Sequence, residues 1–81
     1  MQIFIGHLIR NELRRQGHTN AWLAERIGLT PRALQKIYNK HSLDTQQLLL
    51  ISRALHHDFF RHYSLQVNEK QEQAEDNPVE Q

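Results

Sequence analysis

Arg32, Gln35 and Lys36 are the residues of this chain best equipped for recognition chemistry. Arg and Lys side chains donate to guanine O6 and N7, and a Gln amide pairs with adenine N6 and N7. At helical spacing these three point away from Leu34 and Ile37, which stand three apart and face a core. Asn20, Thr30, Asn39 and Lys40 lie around them. Those residue types hydrogen-bond phosphate oxygens, contacts that set register and affinity rather than sequence preference.

Two short helices must position these groups. Thr19 is suited to cap the first, which spans 20–27 and carries Leu23, Ala24 and Ile27 on one face. Gly28 stops it, because glycine accepts the left-handed backbone of a helix end. Leu29 is an apolar turn residue expected to point inward. Thr30 caps the second helix, 31–39, and Pro31 fits its first position, where no N–H is needed. Two amphipathic helices joined by so tight a turn have the layout of a helix-turn-helix, which lays its second helix in the DNA major groove.

The segment Thr19 to Lys40 resembles the lambda-repressor/Cro-type (XRE) helix-turn-helix regulators. The likeness rests on Thr19, Asn20, the Leu23-Ala24 pair, Ile27, Gly28, Leu29 and Thr30. It continues through Leu48, Ile51, Ala54 and Leu55, which look like the family's fourth helix, and covers about residues 5 to 63. There are three departures from the pattern: Trp22 replaces a usually polar residue, Tyr38 a common Glu, and Asn39-Lys40 a turn with Gly. The resemblance implies a compact, all-α, five-helix lambda-repressor-like domain. It implies a small, repressor-like transcriptional regulator binding double-stranded DNA, as a homodimer on a palindromic operator. In that setting Arg32, Gln35 and Lys36 read bases, while Asn20, where family members commonly have a Gln, touches the backbone.

The rest of the chain fits one small domain. A first helix over 5–16 has Ile5, Leu8, Ile9 and Leu13 as its apolar stripe, and Gly17 ends it. Asp44 with Gln47 has the form of a capping box for a fourth helix running to about His56. Asp58 is suited to cap a short fifth helix with Phe59, Phe60 and Tyr63. From Gln66 the sequence turns polar and acidic, too poor in apolar residues to offset its ordering entropy. Residues 66–81 therefore read as a tail, disordered or a frayed helix, behind a domain of residues 1–65. The first 65 residues hold nine Lys/Arg against four Asp/Glu, a balance of +5, and the tail holds one against five, −4. A modestly basic domain with an acidic tail fits a polyanion partner.

Phe59, Phe60 and Tyr63 crowd the end of a domain whose core is small. One helix cannot turn all three inward, so at least one is expected to be exposed and to serve a dimer contact. Trp22 is expected to be core or half-buried, and Tyr38 to cover the core edge or reach a phosphate. Six histidines, with no cysteine and no HExxH, read as surface groups rather than metal ligands. Without a glycine-rich phosphate loop or a nucleophile motif, no enzyme, cofactor or small-molecule ligand is indicated. No apolar run approaches the ~20 residues of a membrane span, and MQIFIGHLIR lacks a signal-peptide core, which points to a cytoplasmic protein; the resemblance implies a bacterial one. Two other readings use the same scaffold: an antitoxin or accessory subunit whose DNA binding depends on a protein partner, and a pure protein-interaction module.

Overall fold

In a computed structural model, which describes residues 2–74, the chain is all-helical, with no strand among the described residues. Five helices follow in order: α1 Ile5–Gln16, α2 Asn20–Arg26, α3 Pro31–Tyr38, α4 Thr45–Leu55 and α5 Phe60–Ala74. No helix among the described residues is long and apolar enough to cross a membrane.

Each short helix starts and stops on chemistry visible in the sequence. The Thr19 hydroxyl accepts from Trp22 N at 3.1 Å, Thr30 from Ala33 N at 3.1 Å, and the Asp44 carboxylate from Gln47 N at 2.7 Å. Each bond satisfies one of the backbone donors a helix leaves free in its first turn. Gly17 closes α1 at φ 79°, and Gly28 follows α2 at φ 74°. His56 closes α4 in the same left-handed region, φ 51°, without being glycine.

The start of α1 is capped differently. Phe4, at its N-cap position, makes no side-chain cap. Instead Ile5 N and Gly6 N donate to the carbonyls of His41 and Lys40, both at 3.0 Å. The chain leaving α3 thus supplies the acceptors that α1 needs. Gly6 makes this possible: a Cβ there would collide with the backbone carbonyl oxygens of Ile37 and Tyr38. Nothing in the residues flanking Gly6 marks this role.

The core joins α1, α2, α3, α4 and the α4–α5 turn through Ile5, Ile9, Leu13, Leu23, Leu34, Ile51, Leu55 and Phe59, each at most 2% exposed. Leu29 is half-buried and packs on this core, as its place in the α2–α3 turn suggests. Trp22 is also half-buried, flanked by the His18 ring at 3.6 Å and the Arg26 guanidinium at 4.8 Å. At the other end Phe4 stacks on His7 and meets the His41 ring at a tilt of 39°.

Two expectations are corrected. Phe59 is not on the last helix but in the turn before it, where Asp58 caps Phe60 N. Freed from helical phase with Phe60 and Tyr63, it turns fully into the core. Phe60 and Tyr63 are half-buried and pack on the same core, so none of the three stands exposed. Nor is the last helix short: α5 continues to Ala74, into the segment read as a polar tail. Gln, Glu, Lys and Ala sustain a helix by intrinsic propensity, so scarcity of apolar residues does not end one. The rest of that segment, 75–81, lies outside the described residues.

Candidate nucleic-acid interface

Helix α3 divides into two faces. Leu34, Ile37 and Tyr38 are buried at 0–3% exposure. Arg32, Gln35, Lys36 and Asn39 are all exposed, as are Thr30 and Lys40 at its two ends. The burial of one side leaves the other as an unbroken polar row, fixed in direction by the core beneath it. Arg32, Lys36 and Lys40, spaced by four, line one groove of about 360 Å³ together with Gln47 of α4. Gln35 and Asn39, also four apart, belong to the other flank, where Asn39 Nδ2 donates to Gln35 O at 3.5 Å.

None of these exposed cations is paired with a carboxylate among the described residues, where ion pairs involve Arg15 and His57 with Glu12. The groove therefore offers uncompensated positive charge beside amide groups. That combination suits a polyanion whose edges carry acceptors. Local sequence marks Gln47 only as a helix-start residue; its place in the groove depends on how α4 packs.

The four residues expected at phosphates have different surroundings. Thr30 is exposed and spends one lone pair on its cap, leaving its hydroxyl hydrogen free to donate. Lys40 and Asn39 are exposed at the end of α3. Asn20 is half-buried, and its Oδ1 accepts from the Tyr38 hydroxyl at 2.7 Å. Tyr38 is a core residue at 2% exposure, so its ring covers the core while its hydroxyl is held by Asn20. Burial raises the Tyr38 pKa above its ordinary value, against the nearby positive charge of Arg10 and Arg14. The phenol stays a neutral donor.

His57 and His62 meet at 3.2 Å between their Nε2 atoms, and His57 Nδ1 lies 3.8 Å from Glu12 Oε2. Among the described residues no three His, Asp or Glu side chains gather as metal ligands. Against this geometry, neither a family model, nor a curated protein, nor a solved structure matches the chain.

Proposed function

We propose that this protein binds double-stranded DNA in a sequence-specific way as a small transcriptional regulator, through a lambda-repressor-like helix-turn-helix made of α2 and α3. One observation carries the reading. The helix that follows the tight turn buries Leu34, Ile37 and Tyr38 and exposes Arg32, Gln35, Lys36 and Asn39 in a row. A helix so anchored offers a rigid row of donors and acceptors, which is what reading base edges in the major groove requires. Arg32, Gln35 and Lys36 are the base readers; Thr30, Asn39 and Lys40 bracket them as phosphate contacts, and Asn20 joins from α2.

A second copy completes the reading. Phe59 is excluded as an anchor by its burial, so the contact shifts along α5 to Val67, 55% exposed, which shares a helix face with half-buried Phe60 and Tyr63. To read an inverted repeat, a two-fold pairing there must set two α3 helices about one DNA turn apart, ~34 Å.

The test is selection of bound sequences from a random duplex library at ~150 mM salt, a level at which nonspecific phosphate binding is weak. Enrichment of an inverted repeat supports the dimeric regulator. Absence of any enriched sequence overturns base reading by α3. Arg32→Ala with Lys36→Ala should abolish enrichment while leaving the helical fold intact.

A partner-dependent variant of this role is favoured by one further observation. Leu49 and Leu50 of α4 are 39% and 44% exposed, an apolar pair distinct from the α5 face. An antitoxin-like or accessory subunit would use such a pair against its protein partner while α3 keeps the DNA.

A further inference from the structure

Arg10 and Arg14 stand four apart on one side of α1, and His18, beyond the Gly17 stop, extends the same ridge along the cleft that all three line. The ridge faces the start of α2 and the flank of α3 across a cleft of about 360 Å³, whose other wall includes Asn20, Gln35 and Tyr38. This cleft lies on the opposite flank of α3 from the groove lined by Arg32, Lys36 and Lys40.

Four features give the cleft its chemistry. Its wall carries two guanidinium groups and an imidazole but no carboxylate, and the ion pairs among the described residues leave Arg10 and Arg14 out. Arg10 Nε is buried without a hydrogen-bond partner, a donor that a folded protein seldom leaves unmatched. Asn20 is held by its carbonyl side: Tyr38 donates to Oδ1, so the Nδ2 amine is the end left to donate. His18 is steadied by stacking on Trp22, ring to ring at 3.6 Å and 7°. The cleft thus sets two guanidinium groups and a free amide amine around one space that holds no carboxylate.

We infer that this cleft binds a phosphate group, gripped by Arg10 and Arg14 on one side and the Asn20 amide on the other. A guanidinium fork matches two phosphate oxygens at once, and the amide supplies a third donor from across the cleft. Gln35 belongs both to this wall and to the exposed row of α3. A phosphate held here therefore lies beside the proposed base-reading helix, as one strand of a duplex would. The assignment of the phosphate to a DNA backbone rests on the function proposed above; the phosphate chemistry of the cleft does not.

Two arms of one experiment separate these. In the first, the backbone amide spectrum of the full chain is followed by NMR during titration with inorganic phosphate at constant ionic strength. Saturable shifts concentrated at Arg14, His18, Asn20 and Tyr38 are expected, and their loss in Arg10→Gln/Arg14→Gln. Shifts that are absent, or spread evenly over the basic surface, overturn the phosphate site. Because Arg10 is half-buried, exposed Arg14→Gln alone is measured as well; it should weaken the shifts with the fold unchanged. In the second arm, duplex affinity is measured against salt for wild type and Arg14→Gln. Loss of one phosphate contact should flatten the slope of log K against log salt by about 0.9. A wild type that binds duplex with a slope identical to that of Arg14→Gln overturns the backbone source and assigns the cleft to a free phosphoester. A wild type that binds no duplex overturns the DNA reading, and the first arm alone then decides the cleft.

Discussion

The hydroxyl of Tyr38 donates to Asn20 Oδ1 at 2.7 Å, tying the last residue of α3 to the first of α2. The bond closes the pair of helices at the end away from their turn, so the angle between them is fixed at both ends. It also explains how a tyrosine comes to sit in the core at 2% exposure: the ring is buried and its one polar atom is matched.

Tyr38→Phe removes the bond and keeps the ring. Stability should fall by about 1 kcal/mol, the usual net worth of such a bond. Asn20→Ala leaves the buried hydroxyl unmatched and should cost about 1–3 kcal/mol. In the double variant the losses should not add, because both report the same contact. Urea denaturation of the four proteins measures this cycle, and strictly additive losses would show that the contact contributes nothing.

Gly6→Ala should destabilise the fold even though alanine is the better helix former by about 1 kcal/mol. The added methyl group meets the carbonyl oxygens of Ile37 and Tyr38, which are backbone atoms and cannot rotate away. Relief requires moving α1 from α3, with a loss of about 1–3 kcal/mol typical of overpacking. At Gly17 nothing stands near the added methyl, and only the left-handed backbone, φ 79°, is at issue. The same substitution there should cost about 1–2 kcal/mol. Thermal melts of both variants distinguish the causes: moving to serine, slightly larger, should worsen the loss at position 6 and leave that at 17 nearly unchanged.

The contrast between these two glycines shows which parts of the molecule the sequence reveals. Thr19, Gly28, Thr30-Pro31 and Asp44 act on neighbours within a few residues, so their roles as caps and stops are visible in the string. The exposed row of α3 is equally visible, because burial of Leu34 and Ile37 fixes its opposite face. Gly6 acts on residues more than thirty positions away, and nothing local marks it. Tyr38 and Asn20 are eighteen apart, and each alone has several possible partners. Phe59 escapes a local reading because α5 starts one residue later than the spacing of the aromatics suggests. The ridge of Arg10, Arg14 and His18 is periodic in sequence, but the wall it faces is a product of packing.

On the proposed interface, Lys40 and Gln35 should fail in different ways. Lys40 is exposed at the end of α3, in the groove with Arg32 and Lys36. As a phosphate contact, Lys40→Ala should weaken binding to all duplexes alike and flatten the salt slope by about 0.9. Gln35→Ala should keep the slope and relax preference at one base position by about 1–3 kcal/mol. Binding curves on the selected operator and its single-base variants separate the two. An equal loss on every sequence for Gln35→Ala would remove it from base reading.

Acid should weaken the fold in two stages, both centred on the contact of α1 with the α4–α5 turn. His62 is held below its ordinary pKa by burial, with the neighbouring charges of His57 and Arg61 acting the same way and Asp58 and Glu12 opposing. Its proton therefore binds the unfolded chain first, so stability is full above about pH 6.5 and declines as pH falls below it. Geometry gives the same sign: with both Nε2 atoms protonated, His57 and His62 would turn N–H against N–H at a spacing of 3.2 Å. Glu12 governs the second stage. Its hydrogen bond from Arg15, at 2.6 Å to Nη2, lowers its pKa to about 2, with Gln16 and His57 assisting and desolvation opposing. The stability it contributes is present above about pH 4.5 and lost as pH falls toward 2. Solvent screening keeps that contribution to about 1 kcal/mol. Denaturation midpoints at pH 7.5, 5.5 and 3, on wild type, His62→Gln and Glu12→Gln, resolve the stages. His62→Gln should remove the decline between 7.5 and 5.5, and Glu12→Gln should reduce that between 5.5 and 3. A midpoint in wild type that holds constant from 7.5 to 5.5 would mean that the histidine pair contributes nothing to joining α5 to the core.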